Sequence, residues 1–527
     1  MAETLTVVRL TARLVRRGAL VLLVCLVAYL LVEVRVFEVT YPDQASRDLV
    51  VRLAQDPVLQ VFQAEPAATS IGALVVWDAG WLLQVVVGVW MVVATARVLR
   101  GDEDAGRTEL MLAGKLSPRR VLTAQLGTLL TVAVLIGVAV GGTLALRTDI
   151  GGAALQGAVV AGFGATYVGA TAVLAQVAGS RGRVLGAASL LLGGAYLLRM
   201  VAGSGVDRHD LAWLTPLGWS DRLQAYGDNH VAVLLLPFAV AAVLTASAIL
   251  LRGLRDSGGA LVGGPSTHRS SSVWLGGPAA FAWRANLGVL TAWASALLVF
   301  GGVSGTLIRS METFLAADES YRQLLAAMGI STENLTGGYV AMTANILGAA
   351  ICLYVVWRLG HARAEEAAEL ADNLLVRPVG RWRWLGGHVA LTAAGAVVLA
   401  LAGGSGMWLG ARLASADLSL AHALAGVVNV LPVAAVMAGL AVLLLGLLPR
   451  LTVPVAASVA VLTYVLALVG PALSWPDLVV DVSPFHHLEA VPVDPPGLAA
   501  AAVMVAVAAV MTLTGLARFG RRDLVGA

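Results

Sequence analysis

Between Arg100 and Arg120 the sequence RGDEDAGRTELMLAGKLSPRR sets the carboxylates of Asp102, Glu103, Asp104 and Glu109 against the guanidiniums of Arg100, Arg107, Arg119 and Arg120. Charge at this density in an apolar chain does ion pairing, and it marks a surface that another molecule grips. A worn copy, RAEEAAELADNLLVRPVGRWR, recurs without a gap from Arg363 to Arg383. Acids at a helix start, and Glu103 four residues before Arg107, predict a short cytosolic helix. Ser117-Pro118 then reads as N-cap and first residue of the next helix. An interfacial amphipathic helix whose charges face only water or headgroups would account for one copy. Two copies at the same topological point suit a partner that is itself present twice.

Other chemistry is thinner. Ser483, His486, His487 and Glu489 form one cluster, but adjacent histidines cannot share a helix face and no partner ligands stand elsewhere, so loop packing is favoured over a metal or catalytic site. No G-x-x-x-x-G-K-[ST] run occurs, and Lys115, the lone lysine, sits in AGKL. No catalytic, cofactor-binding or metal-binding residue is therefore expected on this chain. The Arg-for-Lys, Ala/Val/Gly-rich usage is that of a high-GC bacterial genome.

The elements that position these charges are membrane helices. A chain of 527 residues that is 58% hydrophobic and 13% charged, with mean hydropathy +0.84, is excluded from the ordinary globular class. A bilayer core takes about 20 apolar residues per helix, and about twelve such stretches run from 18–36 to 498–517. Period-two alternation is absent, so the fold expected is an all-α polytopic membrane protein. The first stretch lacks a small-residue cleavage site and reads as retained. Cys25 and Cys352 both fall in apolar stretches, which argues against a disulfide. Most basic residues cluster in alternate loops and acids in the others, which predicts both termini in the cytoplasm and an even number of crossings.

The chain also reads as a tandem duplication. Besides the charged repeat, Thr215-Pro216-Leu217 is echoed by Ser483-Pro484-Phe485, and Leu254-Arg255-Asp256 by Arg521-Arg522-Asp523, at offsets of 263, 268 and 267. The organisation expected is a basic amphipathic helix at 1–17, a six-helix half at 18–252, a cytoplasmic Gly/Ser-rich linker at 253–285 and a second six-helix half at 286–527. Parallel halves of this kind enclose a pathway, so transport is the default reading. On the second helix Trp77, Trp81, Gln84 and Met91 share a stripe; with Tyr196, Arg199, Asn345, Tyr354 and Tyr464 they are the candidate path residues. Helix packing, interface anchoring and, for Arg199, snorkelling are the competing accounts.

The pattern Arg100, Glu103, Gly106-Arg107, Glu109-Leu110, Leu112 and Arg119-Arg120 resembles the cytosolic signature of type-2 ABC exporter permeases, in particular the polyketide-antibiotic (tetronasin-like) multidrug exporters. The similarity takes in the N-terminal basic helix, Pro216-Leu217-Gly218-Trp219 and the Arg-Asp after each half. It implies two parallel six-helix repeats in a bacterial cytoplasmic membrane, with 1–17 as the connecting helix. Two copies of a separate nucleotide-binding subunit, carrying the ATP and magnesium, would dock on Glu103, Arg107, Glu109, Arg119 and Arg120 and on Glu365, Glu366, Glu369 and Arg381. The expected cargo is a hydrophobic or amphipathic small molecule, exported; nucleic acid is not a partner. In the second copy Gly106 aligns with Glu369, Arg107 with Leu370 and Glu109 with Asp372, so the two docking surfaces differ chemically. The runner-up is a proton-coupled carrier of the major facilitator type, which shares the six-plus-six plan but whose D-R-x-G-R-[RK] run is missing here.

Overall fold

A computed structural model describes residues 2–55, 60, 63–114, 116–203, 206–255, 259, 261, 278–317, 335–367, 380–472 and 475–523. The chain divides into two compact units, 1–269 and 270–527. Among the described residues there is no strand, and twelve helices are long and apolar enough to cross a membrane, six in each unit. The protein is an all-α polytopic membrane protein.

In the first unit α1 spans Ala2–Thr40, α2 Gln44–Ala54, α3 Ile71–Ala96, α4 Arg107–Leu112, α5 Pro118–Ala145, α6 Ile150–Val177, α7 Arg181–Gly203, α8 Pro216–Leu223 and α9 Leu235–Arg252. The basic segment 1–17 and the first span run on as one helix. In the second unit α10 spans Pro278–Ala317, α11 Leu335–Ala367, α12 Arg381–Leu413, α13 Leu420–Val428, α14 Leu431–Leu447, α15 Thr452–Ala472 and α16 Leu498–Arg521. The fourth crossing of this unit is broken into α13 and α14 where Pro432 enters at the start of α14, since proline supplies no N–H to continue a helix.

Packing repeats between the units. The first crossing lies on the third (α1 on α5, α10 on α12), the second on the fourth (α3 on α6, α11 on α14) and the fourth on the sixth (α6 on α9, α14 on α16). In lipid no water is expelled by helix pairing, so close backbone approach is what drives it. Small residues supply that approach: a Cβ on Gly157 of α6 would fall 2.5 Å from the Gly137 carbonyl oxygen of α5, and one on Gly410 of α12 would fall 1.8 Å from that of Gly302 on α10. The most buried crossing, α6, has 78% of its apolar window inside the protein, against 17% for α9. Accordingly α6 has no hydrophobic stripe, being covered on all sides.

Candidate functional site

Each unit builds a charged clasp at the end of its second crossing. In the first unit α3 passes through a single π-helical turn, Arg97–Gly101, into a last turn at Asp102–Asp104. Such turns shift the register of the residues that follow, and here Arg100 is brought inside, 1% exposed. Glu103 Oε2 accepts from Arg100 Nη1 at 3.1 Å and from Arg255 Nη2 at 2.6 Å. All three side chains are 5% exposed or less. The same guanidiniums reach the carbonyl end of α6, Arg100 donating to Gly179 O (2.9 Å) and Arg255 to Ala175 O (3.3 Å), where unpaired carbonyls and the helix dipole favour cations. Asp104 Oδ2 accepts from the Arg181 amide at the start of α7. One carboxylate and two arginines thus tie together the ends of α3 and α6 and the chain leaving α9.

The second unit repeats the device. Glu366, whose side chain is fully buried, is held in a two-pronged contact by Arg522, with the second prong at 2.8 Å, and approached by Arg363 at 3.5 Å. Arg381 at the start of α12 donates to the Arg522 carbonyl. Arg100, Glu103 and Arg255 correspond to Arg363, Glu366 and Arg522 in the repeat. The sequence shows the charged segment and the later Arg-Asp as separate repeats; only the fold shows that they are two sides of one contact. Nearby, His388 adds a bridge with no counterpart, Nε2 lying 3.5 Å from Glu365 and Nδ1 3.2 Å from Arg358.

The docking candidates therefore fall into two groups. Glu103 and Glu366 face inward, and half-buried Arg381 donates to the Arg522 carbonyl. Glu109, Arg119 and Arg120 are exposed, and Leu110 beside them is 78% exposed. Arg107 is exposed too, but it pairs with Asp102 (2.6 Å), so the expected pairing of Glu103 with Arg107 is not formed. The reason is Gly106, whose φ of +70° ends the Asp102–Asp104 turn and starts α4 afresh, breaking the helical spacing. Ser117 caps α5 as expected, its Oγ accepting from Arg120 N. Met111 and Leu112 rest with Val7, Val121 and Ala124, so α4 leans on α1 and α5. Glu365 is partly exposed; Glu369 lies outside the described residues.

At the opposite end of the first unit's helices is a polar cavity of about 60 Å³, lined among others by Trp77, Trp81 and Gln84 of α3, Tyr196 and Arg199 of α7, and Asp221 of α8. Five path candidates thus meet in one place: Trp77, Trp81, Gln84, Tyr196 and Arg199. The α8 segment is the lid, started by Thr215, whose hydroxyl accepts from Gly218 N, with Pro216 in the first turn. It carries Ser220, which donates to Gln84 Oε1 (2.9 Å), and Asp221, which accepts from Arg199 Nε (2.8 Å). Arg199 is therefore an ion-pair partner within the cavity wall, 3% exposed, and not a snorkelling cation. Burial pushes the Asp221 carboxyl above its ordinary value, opposed by the Arg199 charge. Trp81 and Tyr196 pack with ring centres 5.6 Å apart.

The remaining candidates lie elsewhere. Met91 is fully buried in the core further along α3, away from the cavity. In the second unit Tyr354 is fully buried, its hydroxyl taking a hydrogen bond from Asn286 (3.3 Å) and its ring 5.9 Å from Trp293. Tyr464 packs on Phe485 and Asn345 is half-buried; these three do not line the cavity. Ser483 is buried and donates to Thr463 O (2.6 Å), occupying a corner equivalent to that of buried Thr215. His486 lies 3.7 Å from the Asp481 carboxylate and His487 Nε2 lies 2.8 Å from the Asp481 carbonyl oxygen, and no group of three or more potential metal ligands occurs among the described residues.

Comparison with known proteins agrees with a transport architecture. The chain is 29% identical over 494 residues, 92% of its length and 89% of the relative's, to the multidrug efflux system permease protein Rv1217c of Mycobacterium tuberculosis. This chain is similar to a multidrug efflux permease. Residues 275–520 also match the family model "Multidrug efflux system permease Rv1217c, C-terminal domain". The first match runs through both repeats, and the second takes in Glu366, Arg381 and all six crossings of the second unit apart from its last residue.

Proposed function

We propose that this chain is the membrane permease of an ATP-driven exporter of amphipathic compounds, of the type-2 ABC kind and its tetronasin-like branch. It lies in the bacterial cytoplasmic membrane with both termini inside, and two copies of a separate ATPase subunit, holding ATP and magnesium, dock at 100–120 and 363–383. The observation that carries the reading is the clasp built twice at matching repeat positions, Arg100–Glu103–Arg255 and Arg363–Glu366–Arg522. A segment that merely faced water would have no need to be bolted to the ends of three helices. One that must pass force from a partner into the bundle would. In the first copy the bolt sits behind an exposed face, Arg107, Glu109, Leu110, Arg119 and Arg120, able to meet a partner. Similarity over both repeats to a multidrug efflux permease supports transport over catalysis.

In this reading nucleotide-dependent docking energy enters through the segments 100–120 and 363–383. In the first unit it is delivered to the second, fourth and sixth crossings together, because the clasp joins their ends; a stiff joint converts a push into a tilt of packed helices. The test is co-expression with the neighbouring genes and a search for an ATPase that binds the chain. A complex should purify, and Arg107→Glu or Glu109→Arg should leave insertion intact while uncoupling ATP hydrolysis from drug efflux. If no ATPase binds and efflux instead collapses with the proton gradient, the reading is wrong.

That second outcome is the proton-coupled carrier, and one contact favours it. The carboxyl of Glu33 on α1 lies within hydrogen-bonding reach of that of Asp78 on α3. Paired acids inside membrane helices are rare and belong most often to ion or proton paths. Glu33→Gln and Asp78→Asn, measured for proton dependence of efflux, separate the two readings.

A further inference from the structure

At one end of the second unit two helices bring together exposed cations that no acid pairs. Arg383 stands in the first turn of α12, and Arg518 and Arg521 in the last turn of α16. All three are exposed, and none has a side-chain hydrogen bond or ion pair among the described residues. The two helix ends touch: Trp384 stacks on Phe519 with ring centres 5.5 Å apart, and a Cβ on Gly520 would fall 2.5 Å from Trp382 Nε1. Trp382 is 52% exposed, so its indole nitrogen lies against α16 while about half of the residue stays open. Each helix also presents an apolar face that runs into these cations. On α16 Val503, Val507 and Val510 are exposed on the side that carries Arg518 and Arg521. On α12 Ala390, Ala394, Val397 and Leu401 are exposed on the side that carries Arg383. Such faces on membrane helices meet acyl chains, so the arginines and Trp382 stand where acyl chains give way to headgroups.

The first unit lacks this patch at the matching positions. Ser117, Arg119, Arg120, Leu251, Gly253 and Leu254 correspond there to Gly380, Trp382, Arg383, Arg518, Gly520 and Arg521. The wedge between the helices is kept, Arg119 lying over Gly253 as Trp382 lies over Gly520. Its chemistry differs: two leucines stand where the second unit has arginines, and Ser117, which caps α5, is matched by Gly380, which has no side chain to cap α12. A helix start with no capping side chain and no acid in its first turn favours an anion. We propose that Trp382, Arg383, Arg518 and Arg521 bind the phosphate of an anionic phospholipid whose acyl chains lie along the exposed faces of α12 and α16. A free anion would make no use of those faces or of the open indole, and a water-borne acidic protein would not reach along them. The site stands whether or not the chain moves a drug. Its neighbours Arg381 and Arg522 belong to the clasp of the second unit, so the lipid is held beside that clasp.

The experiment uses the full chain in phosphatidylcholine nanodiscs doped with a trace of photoreactive phosphatidylglycerol or photoreactive phosphatidylcholine, each with the same diazirine near the head of one acyl chain. Phosphatidylglycerol should label peptides covering 381–401 and 503–521 more strongly than phosphatidylcholine does, and unlabelled phosphatidylglycerol should compete the label away. One arginine near a membrane surface changes affinity for anionic lipid roughly fivefold. Arg383→Gln, Arg518→Gln and Arg521→Gln should therefore each weaken the competition about fivefold, and the three together should erase the headgroup preference. Arg383→Lys, Arg518→Lys and Arg521→Lys combined, which keep the charge, should preserve it. Equal labelling of the unaltered chain by the two headgroups overturns the proposal and needs no variant to fold. An unchanged preference in the folded triple glutamine variant overturns it as well. If that variant keeps its lipid preference but loses an ATPase that copurifies with the unaltered chain, the patch is a protein-docking face and the lipid site falls.

Discussion

Replacing Glu103 by Gln should open the clasp of the first unit while leaving its helices folded. The carboxylate sits between Arg100 and Arg255, with the three side chains 5%, 2% and 3% exposed. Removing one partner of a buried ion pair leaves the other charge uncompensated and costs about 3–5 kcal/mol. Here the two arginines keep their bonds to Gly179 O, Ala175 O and Gly259 O, so the lower end of that range applies. At 1.36 kcal/mol per decade, about 3 kcal/mol is roughly a hundredfold increase in local opening. Amide hydrogen exchange reads this directly, because local opening sets the exchange rate of the amides it exposes. Peptides covering 97–112 and 250–255 should exchange roughly a hundredfold faster, while those from α5 and from the second unit stay unchanged. Glu366→Gln should produce the matching change at 358–367 and 518–523, where Arg522 loses one of its two oxygen acceptors and the charge that faces it. If exchange at 97–112 changes less than about threefold in Glu103→Gln, the ion pair is not what holds this end, and the force-transmission argument fails with it.

Two further outcomes follow from packing and from the cavity. Gly157→Val in α6 drives a branched side chain into α5, where even a Cβ would lie 2.5 Å from the Gly137 carbonyl oxygen; a loss of at least 1–3 kcal/mol is expected, seen as a lower thermal midpoint in detergent, and an unchanged midpoint would refute the backbone-contact account of this helix pair. The Asp221 carboxyl, pushed up by burial, should take its proton at a higher pH than an exposed aspartate, so the Arg199 contact is lost early on acidification. The sign matters: a raised carboxyl favours the protonated folded form, so acid should loosen the cavity without unfolding the protein. Trp fluorescence should report a pH step that Asp221→Asn abolishes, and persistence of the step in that variant would assign it to another group.

Much of the fold was legible in the sequence because lipid imposes a simple condition: every backbone N–H must be paired within its own helix, so long apolar runs can be only helices. The repeat was legible for a related reason. A membrane helix tolerates wide exchange among apolar residues, so a duplicated chain drifts there, but charges at helix ends are expensive to misplace. Thus the charged segment, the Thr/Ser-Pro corners and the trailing Arg-Asp kept their positions. The stripe of Trp81 and Gln84 pointed to the cavity because residues at helical spacing share a face. Gln156, Ser220 and Asp221 were not singled out, since they join the cavity from other elements and each reads alone as an ordinary polar residue.

By itself the sequence determined the all-helical class, the twelve apolar crossings, the two repeats and the location of charge, all of which follow from local composition and period. Tertiary structure alone decided what the charges do. Glu103 is within helical reach of Arg107 in sequence, yet the left-handed turn at Gly106 sends Arg107 to Asp102 and leaves Glu103 to Arg255, 152 residues away. Likewise Arg199, which reads as a lone cation near a membrane end, acquires its counter-charge only when α8 folds over the cavity. Ion pairing depends on distance in space, and low surroundings polarity strengthens it only once packing has excluded water; neither condition is written in the order of residues.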